Sequence, residues 1–259
     1  FLLIFLCIYI ILQMVFFSEN KEFAESDMYD EIMSRGKIRV GVNSDSKPFG
    51  FVNEKGEQVG YDVDLAHYIA QYIVKDRNRI EIIPICSSER LIKASTGEVD
   101  IVIASLTITP QRREVVEFSI PYDTAGLAVM VKKNSAIRSL SDLSGQNVGV
   151  IFGTTAEKNL LKMIPTANIR GFRTYNDAYL ALKNGQVDAV TSDDTILSGL
   201  AYDDDNVKIL PKRYSQEPYG IAFKKGNSTI KLKENLDFAI KDMQQKNVIP
   251  RLRKKWGIG

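Results

Sequence analysis

The chain has 259 residues, enough for two lobes of ordinary size, and its 34 basic and 32 acidic side chains leave a net charge of +2. This balance lacks the basic excess of a nucleic-acid-binding domain. One histidine, His67, and two cysteines, Cys7 and Cys86, are too few for a histidine- and cysteine-rich metal site or a disulfide framework. His67 lies inside an amphipathic helix pattern, so we predict no catalytic residue. We also predict no metal and no cofactor.

The first 17 residues are almost entirely apolar, and a polar, acid-rich linker follows them. This length is at the lower limit for a membrane span and slightly long for the core of a signal peptide. Segment 1–28 is therefore interpreted as an export signal or a retained membrane anchor together with its linker. It predicts a periplasmic protein and leaves open whether the segment is cleaved.

From residue 38 onward, short apolar strands alternate with helical patterns, which indicates an α/β fold. The predicted strands are 38–42, 49–52, 80–85, 99–104, 126–131, 147–151, 169–172, 187–191, 207–210 and 219–223. The predicted helices are 63–74, 87–96, 156–163, 176–183, 229–245 and 248–256. Asp62 is expected to cap the first of these helices.

One segment carries a specific chemical signal. A predicted strand ends at residue 104 and is followed by the hydroxyl of Ser105. Thr109 and Pro110 then predict the start of a helix, with the threonine as N-cap and the proline at the first helical position. Arg112 lies just inside that helix. Hydroxyls, helix N–H groups and a guanidinium together predict a binding site for a carboxylate.

The same sequence pattern occurs twice in the chain. Gly97 and Gly185 each close a predicted helix and precede an apolar strand, and Ser105 and Asp193 follow them at the same offset. Two halves built alike would place both polar residues at the carboxyl ends of equivalent strands, where open α/β sheets bind ligands. The sequence therefore predicts a site for a zwitterion, with its carboxylate on Arg112 and its ammonium on Asp193.

The two halves are expected to form two lobes. Lobe 1 is predicted to comprise 29–128 and 218–259, and lobe 2 to comprise 129–217. The chain would cross between them near 129–133 and near 217–220, forming a hinge that allows the lobes to close around a ligand.

Several short motifs extend this pattern along the chain. They are Gly60-Tyr61-Asp62-Val63-Asp64-Leu65, Gly97-Glu98-Val99-Asp100, Thr107-Ile108-Thr109-Pro110-Gln111-Arg112, Phe118-Ser119-Ile120-Pro121-Tyr122 and Lys254-Lys255-Trp256-Gly257. With them, the chain from about residue 38 to residue 256 resembles the bacterial extracellular solute-binding proteins of polar amino-acid ABC importers (family 3). It is similar to the aspartate/glutamate- and cysteine-binding members. The resemblance implies a two-lobed, periplasmic-binding-protein-like (type II) fold and a monomer that delivers its amino acid to a membrane permease.

The resemblance also implies roles for individual residues at the amino-acid backbone of the ligand. Asp193 would bind the α-ammonium group. The α-carboxylate would be bound by Arg112, Thr107, the backbone of Ser105 and, from the second lobe, Thr154 and Thr155.

At the side-chain end, Arg90 matches an arginine that aspartate- and glutamate-binding relatives use near the side-chain carboxylate, and Tyr175 would line the same end. Phe49 would face either the cleft or the core. Some acidic-ligand relatives have a lysine where this chain has Asn43, so the pocket is less cationic here. The resemblance thus implies aspartate or glutamate first, and glutamine or cysteine as the alternative.

Two other classes of function fit the same fold. Cyclohexadienyl dehydratases resemble these binding proteins, and Asp193 or Glu217 would supply the carboxylic acid that such an enzyme needs. The sensor domain of a membrane receptor would suit a retained anchor, but no further span or signalling module follows Trp256. We therefore expect a binding protein and not an enzyme.

Overall fold

A computed structural model describes residues 26–258 of the chain. The predicted export segment, residues 1–17, and the site of its cleavage lie outside the described residues. Within the described part, none of the helices combines the length and apolar character that crossing a membrane requires.

The bounds of the regular elements are as follows. The α-helices are α1 (Met28–Arg35), α2 (Tyr61–Ile73), α3 (Arg90–Thr96), α4 (Pro110–Arg113), α5 (Thr155–Met163), α6 (Tyr175–Lys183), α7 (Asp194–Leu200), α8 (Ile230–Gln245) and α9 (Val248–Lys255). The strands are β1 (Ile38–Asn43), β2 (Asp45–Ser46), β3 (Gly50–Val52), β4 (Gln58–Val59), β5 (Ile80–Ile85), β6 (Ile101–Val102), β7 (Val116–Phe118), β8 (Asp123–Ala125), β9 (Leu127–Lys132), β10 (Asn147–Ile151), β11 (Asn168–Phe172), β12 (Ala189–Asp193), β13 (Val207–Ile209), β14 (Glu217–Tyr219) and β15 (Ala222–Lys224).

Two five-stranded sheets have matching topology. The first has the order β5-β1-β6-β15-β7 and the second the order β11-β10-β12-β9-β13. In each, three parallel strands are followed by an antiparallel one. The register is also the same. Val40 pairs with Ile101 in the first sheet and Val148 pairs with Ala189 in the second. Ile101 follows Gly97 at the same distance in sequence as Ala189 follows Gly185. The internal repeat therefore corresponds to two sheets built alike.

The apolar helical patterns pack on these sheets as their periodicity predicts. In α8, Leu232, Leu236 and Ile240 recur at four-residue spacing and are fully buried. Helices α2, α8 and α9 contact one another beside the first sheet, and α5, α6 and α7 contact strands of the second. The result is a two-lobed α/β protein.

The chain passes between the sheets through an antiparallel pair of short strands. β8 pairs with β14, with Glu217 opposite Ala125. β14 lies at the predicted crossing 217–220, whereas the predicted crossing 129–133 overlaps a strand of the second sheet. Residues 129–132 lie in β9 of the second sheet, because this apolar run is buried between β12 and β13. The lobe boundaries at 128/129 and 217/218 remain a prediction.

Most predicted elements agree with the structure to within a few residues, and β5 agrees at both ends. The predicted strand 99–104 is regular only at Ile101–Val102, although all of these residues are buried. The prediction that Asp62 caps a helix is wrong. Helix α2 begins at Tyr61, two residues earlier than predicted, with Gly60 as its N-cap, and the Asp62 carboxylate turns into the interior.

Candidate functional site

The loop that follows β6 is held by a buried carboxyl group. Asp62 Oδ2 accepts hydrogen bonds from the Ser105 backbone N–H at 2.9 Å and from the Ser105 hydroxyl at 3.2 Å. Asp62 Oδ1 accepts one from the Tyr122 hydroxyl at 3.0 Å. Burial raises the pKa of Asp62 to about 7, against the lowering effect of these bonds. The contacts hold Ser105 at a φ of 47°, a left-handed conformation that non-glycine residues seldom adopt.

Helix α4 positions Arg112 as the sequence predicts. The Thr109 side chain accepts a hydrogen bond from the Arg112 backbone N–H at 3.2 Å, and Pro110 is the first helical residue. The guanidinium donates to the Thr107 carbonyl oxygen at 2.7 Å and to the Gly153 carbonyl oxygen at 3.0 Å. Desolvation, followed by the charge of Arg90, lowers the pKa of Arg112 to about 10. The arginine nevertheless stays charged at neutral pH.

Asp193 stands at the end of β12, the strand equivalent to β6. Its Oδ2 atom accepts a hydrogen bond of 2.5 Å from the Tyr219 hydroxyl. Burial raises the pKa of Asp193 to about 7, the tyrosine hydrogen bond opposes this, and the neighbouring Glu217 carboxylate adds to it. The charge of Asp193 in turn raises the pKa of Arg112. The two predicted ligand-binding charges therefore act on each other electrostatically.

Arg90 begins helix α3 and is almost completely buried. Its Nε donates to the Ser87 carbonyl oxygen at 2.9 Å, and its Nη1 donates to those of Ala104 and Ser105 at 3.0 and 3.3 Å. Its Nη2 donates to the Gly153 carbonyl oxygen at 3.1 Å. Since a guanidinium has five N–H groups, backbone carbonyls occupy most of its hydrogen-bonding capacity.

Gly153 of the second lobe accepts hydrogen bonds from both Arg90 and Arg112 at its carbonyl oxygen. It lies between β10 and α5, and its φ is 78°. A Cβ atom at this position would lie 2.8 Å from Ser88 Cα and 3.0 Å from the Ser87 carbonyl oxygen. A glycine here allows the second lobe to approach the loop that precedes α3.

We expect the substitution Gly153→Ala to weaken ligand binding by about tenfold or more, because its methyl group would push the lobes apart. A left-handed alanine also costs about 1–2 kcal/mol, but this strain lowers folding stability and is shared by a control at another left-handed glycine. Isothermal titration calorimetry would measure the affinity. Gly145→Ala is the matched control, since Gly145 has a φ of 73° and no atoms within 4 Å of its would-be Cβ. Equal affinities in the two variants would contradict a steric role for Gly153.

The predicted threonines of the second lobe are close to this contact but direct their hydroxyls elsewhere. Thr154 is the N-cap residue of α5, and its hydroxyl donates to the Ile151 carbonyl oxygen at 2.8 Å. The Thr155 hydroxyl donates to Glu217 at 2.8 Å. Asn159 and Ser215 donate to the same carboxylate. Within the described residues the N-cap side chain makes no capping hydrogen bond, so the first backbone N–H groups of this helix have no partner inside the helix.

Asn43 and Phe49 lie on the first lobe beside these groups. Asn43 Nδ2 donates to Ser46 Oγ at 3.1 Å and to the Ala104 carbonyl oxygen at 3.4 Å, the oxygen that also accepts from Arg90. Within residues 26–258, Asn43 Oδ1 has no hydrogen-bond partner although the residue is fully buried. Phe49 is a core residue, with edge-to-face ring contacts to Tyr61 and Tyr219 at 5.7 and 5.6 Å.

Tyr175 lies on the second lobe as the first residue of α6. Its backbone N–H donates to Asp45 Oδ2 of the first lobe at 3.0 Å. Burial raises the pKa of its hydroxyl to about 12, while the nearby charge of Arg90 lowers it. In the part of the chain that the structure describes, no cluster of three or more His, Cys, Asp or Glu side chains could hold a metal ion.

The sequence analysis missed several residues that shape this site, namely Asp45, Asp62, Gly153 and Tyr219. Their roles depend on contacts between distant segments, and only one weak local signal existed. Gly153 lies two residues after the end of a strand, where a glycine permits close approach of another chain segment.

The fold and the site thus define a two-lobed α/β protein that carries two buried charges of opposite sign, Arg112 and Asp193. Residues 38–259 match the model of the bacterial extracellular solute-binding proteins, family 3, and the chain belongs to that family.

Individual relatives and solved structures cover nearly the whole chain. The ABC transporter glutamine-binding protein GlnH of Bacillus subtilis is 35% identical over 92% of this chain and 87% of its own length. The crystal structure of the cysteine-binding protein of Campylobacter jejuni superposes with a TM-score of 0.84 at 31% identity, covering 89% of this chain and 92% of that one. An ancestral amino acid-binding protein described as a precursor of cyclohexadienyl dehydratase superposes with a TM-score of 0.81 at 34% identity, covering 88% and 98%.

Proposed function

We propose that this protein binds a free polar amino acid, with glutamine as the preferred ligand, and delivers it to the permease of an ABC importer. The observation that carries the proposal is the hydrogen bond from the buried Arg112 of the first lobe to Gly153 of the second, with the buried Asp193 of the second lobe near enough for its charge to raise the pKa of Arg112. Buried charges of opposite sign, each with unused hydrogen-bonding capacity, suit the carboxylate and the ammonium of a zwitterion.

The geometry of Arg112 supports binding of the α-carboxylate. Its two hydrogen bonds to carbonyl oxygens leave three of its five N–H groups without a hydrogen bond to residues 26–258. The backbone N–H groups at the start of α5, beside Thr154 and Thr155, would add donors from the second lobe. Asp193 has one oxygen bonded to Tyr219, so the other is available to the α-ammonium group.

The side-chain end supports a neutral amide better than a carboxylate. Asn43 Oδ1 is a buried acceptor that needs a donor, and the amide NH₂ of glutamine offers one while a carboxylate offers none. Arg90 is largely occupied by backbone carbonyls and is therefore a poor bidentate partner for an acidic side chain. The name of the Bacillus subtilis relative agrees with glutamine. Aspartate or glutamate, which the sequence favoured, and cysteine are the competing ligands.

The family to which the chain belongs is described as extracellular. We infer that the apolar residues 1–17 direct export to the periplasm. The protein would act as a monomer, because the proposed site is formed by two lobes of a single chain. The proposed permease partner would recognise the loaded form.

A thermal-shift screen of the twenty amino acids, followed by calorimetry, tests the ligand. We expect glutamine to give the largest rise in melting temperature, since a ligand at 100 times its Kd adds about 2.7 kcal/mol to the free energy of unfolding. Glutamate and aspartate should raise it less. A larger shift with either acidic amino acid would refute glutamine, and no shift with any amino acid would refute the function.

The same protein preparation can be assayed for dehydratase activity. Of the two candidate acids, Glu217 is held by the Thr155, Asn159 and Ser215 side chains, and Asp193 accepts a hydrogen bond from Tyr219 and is assigned to the ligand α-ammonium group. Incubation with prephenate should therefore yield no phenylpyruvate by absorbance. Its formation would assign the chain to the dehydratases.

A further inference from the structure

Asp45 reaches from the first lobe to the second. It lies in β2, directly after the loop that follows β1, and its Oδ2 atom accepts the backbone N–H of Tyr175 at 3.0 Å. Tyr175 is the first residue of helix α6, whose N-cap is Thr174. The carboxylate thus occupies the N-terminus of a nine-residue helix, where the helix dipole favours negative charge.

The same carboxylate interacts with Arg90. The positive charge of Arg90 lowers the pKa of Asp45 against the raising effect of burial, and both groups act on the hydroxyl of Tyr175. Arg90 otherwise donates to backbone carbonyl oxygens. A guanidinium together with a helix N-terminus is the arrangement that would recognise an acidic side chain. In this protein the Asp45 carboxylate already occupies the N-terminus of that helix.

The wider charge balance points the same way. The charge of Arg90 lowers the pKa of Asp45 and of Asp193, and the charges of Asp193 and Glu217 raise the pKa of Arg112. A zwitterion with a neutral side chain leaves this balance unchanged. An acidic ligand would add a negative charge to a site in which carboxyl groups already outnumber the guanidiniums.

We propose that Asp45 is a specificity-determining residue that excludes amino acids with an acidic side chain while its bond to Tyr175 helps to hold the lobes together. The inference rests on the proposed amino-acid-binding function. Asp45 acts as an internal substitute for the ligand carboxylate, so the neutral amide of glutamine is bound beside it. Its two roles are separable, because the charge and the hydrogen bond can be removed independently.

The test compares the Kd values of glutamine and glutamate by calorimetry in the wild-type protein and in Asp45→Asn and Asp45→Ala. Asparagine keeps an acceptor for the Tyr175 N–H but loses the charge. The ratio Kd(Glu)/Kd(Gln) should therefore fall by about tenfold or more, with little change in Kd(Gln), because like-charge repulsion is relieved. Alanine loses the bond as well, so Kd(Gln) should also rise.

Asp177→Asn is the matched control, because Asp177 lies in the first turn of the same helix but is exposed. It should leave the ratio unchanged. An unchanged ratio in Asp45→Asn, with glutamine still bound, would overturn the inference and leave the proposed function intact. A wild-type protein that binds no amino acid would overturn the proposed function itself. Asp45→Ser provides a second uncharged variant if the asparagine variant does not fold.

Discussion

Replacing Arg112 with alanine is expected to weaken amino-acid binding by about 100- to 1000-fold, because loss of one partner of a buried, hydrogen-bonded charge pair costs about 2–5 kcal/mol. The ligand α-carboxylate would be left without its cation, and Asp193 would face it across the site. Calorimetry with glutamine measures the loss, and thermal melting without ligand checks the fold.

Arg113→Ala is the matched control for this variant. Arg113 is the next residue of α4 and carries the same charge, but it is exposed and pairs with Glu117. Surface pairs of this kind contribute at most about 1 kcal/mol to stability, and this one has no place in the site. An Arg112→Ala protein with wild-type affinity would remove the basis of the proposed function, as would an equal loss in the control.

Ligand affinity is expected to fall by about tenfold for each pH unit below 7, because the α-ammonium group binds the ionised form of Asp193. Burial raises the pKa of this carboxyl group to about 7 in the unliganded protein. A bound cation lowers that pKa, so binding at acidic pH must release a proton. Calorimetry at several pH values, in buffers with different ionisation enthalpies, measures both the affinity and the released proton.

Two tyrosine variants identify the group that titrates. The hydrogen bond from Tyr219 lowers the pKa of Asp193, so Tyr219→Phe should raise that pKa and move the midpoint of the pH profile upward. Tyr122→Phe removes the corresponding bond to Asp62, the other buried carboxyl group with a pKa of about 7. That variant should leave the midpoint in place. An affinity independent of pH between 5 and 8 would contradict the role of Asp193.

The parts of the fold that could be predicted from the sequence are those fixed locally. Thr109 and Pro110 define the start of α4 because a cap and a fixed φ act within one turn. Gly97 and Gly185 close their helices because a left-handed residue is needed there, and both have positive φ. The equal offsets of Ser105 and Asp193 then follow from strand geometry, which the matching registers confirm.

The parts that could not be predicted depend on contacts between distant segments. The apolar run in β9 does not reveal which sheet it joins, because a strand buried on both faces has the same composition in either lobe. The Asp45–Tyr175 and Arg90–Gly153 bonds join residues that are 130 and 63 positions apart. Asp62 resembles a helix cap in sequence, and only the packing of Ser105 and Tyr122 against it shows its actual partners.

The placement of β15 has a consequence for biosynthesis. This strand lies between β6 and β7, yet it comes near the carboxyl terminus of the chain. The strands of the second sheet, from β9 to β13, are instead contiguous in sequence and can assemble while the remainder is still on the ribosome. Translation therefore favours completion of the second sheet before the first, in which a gap persists until residues 222–224 have emerged.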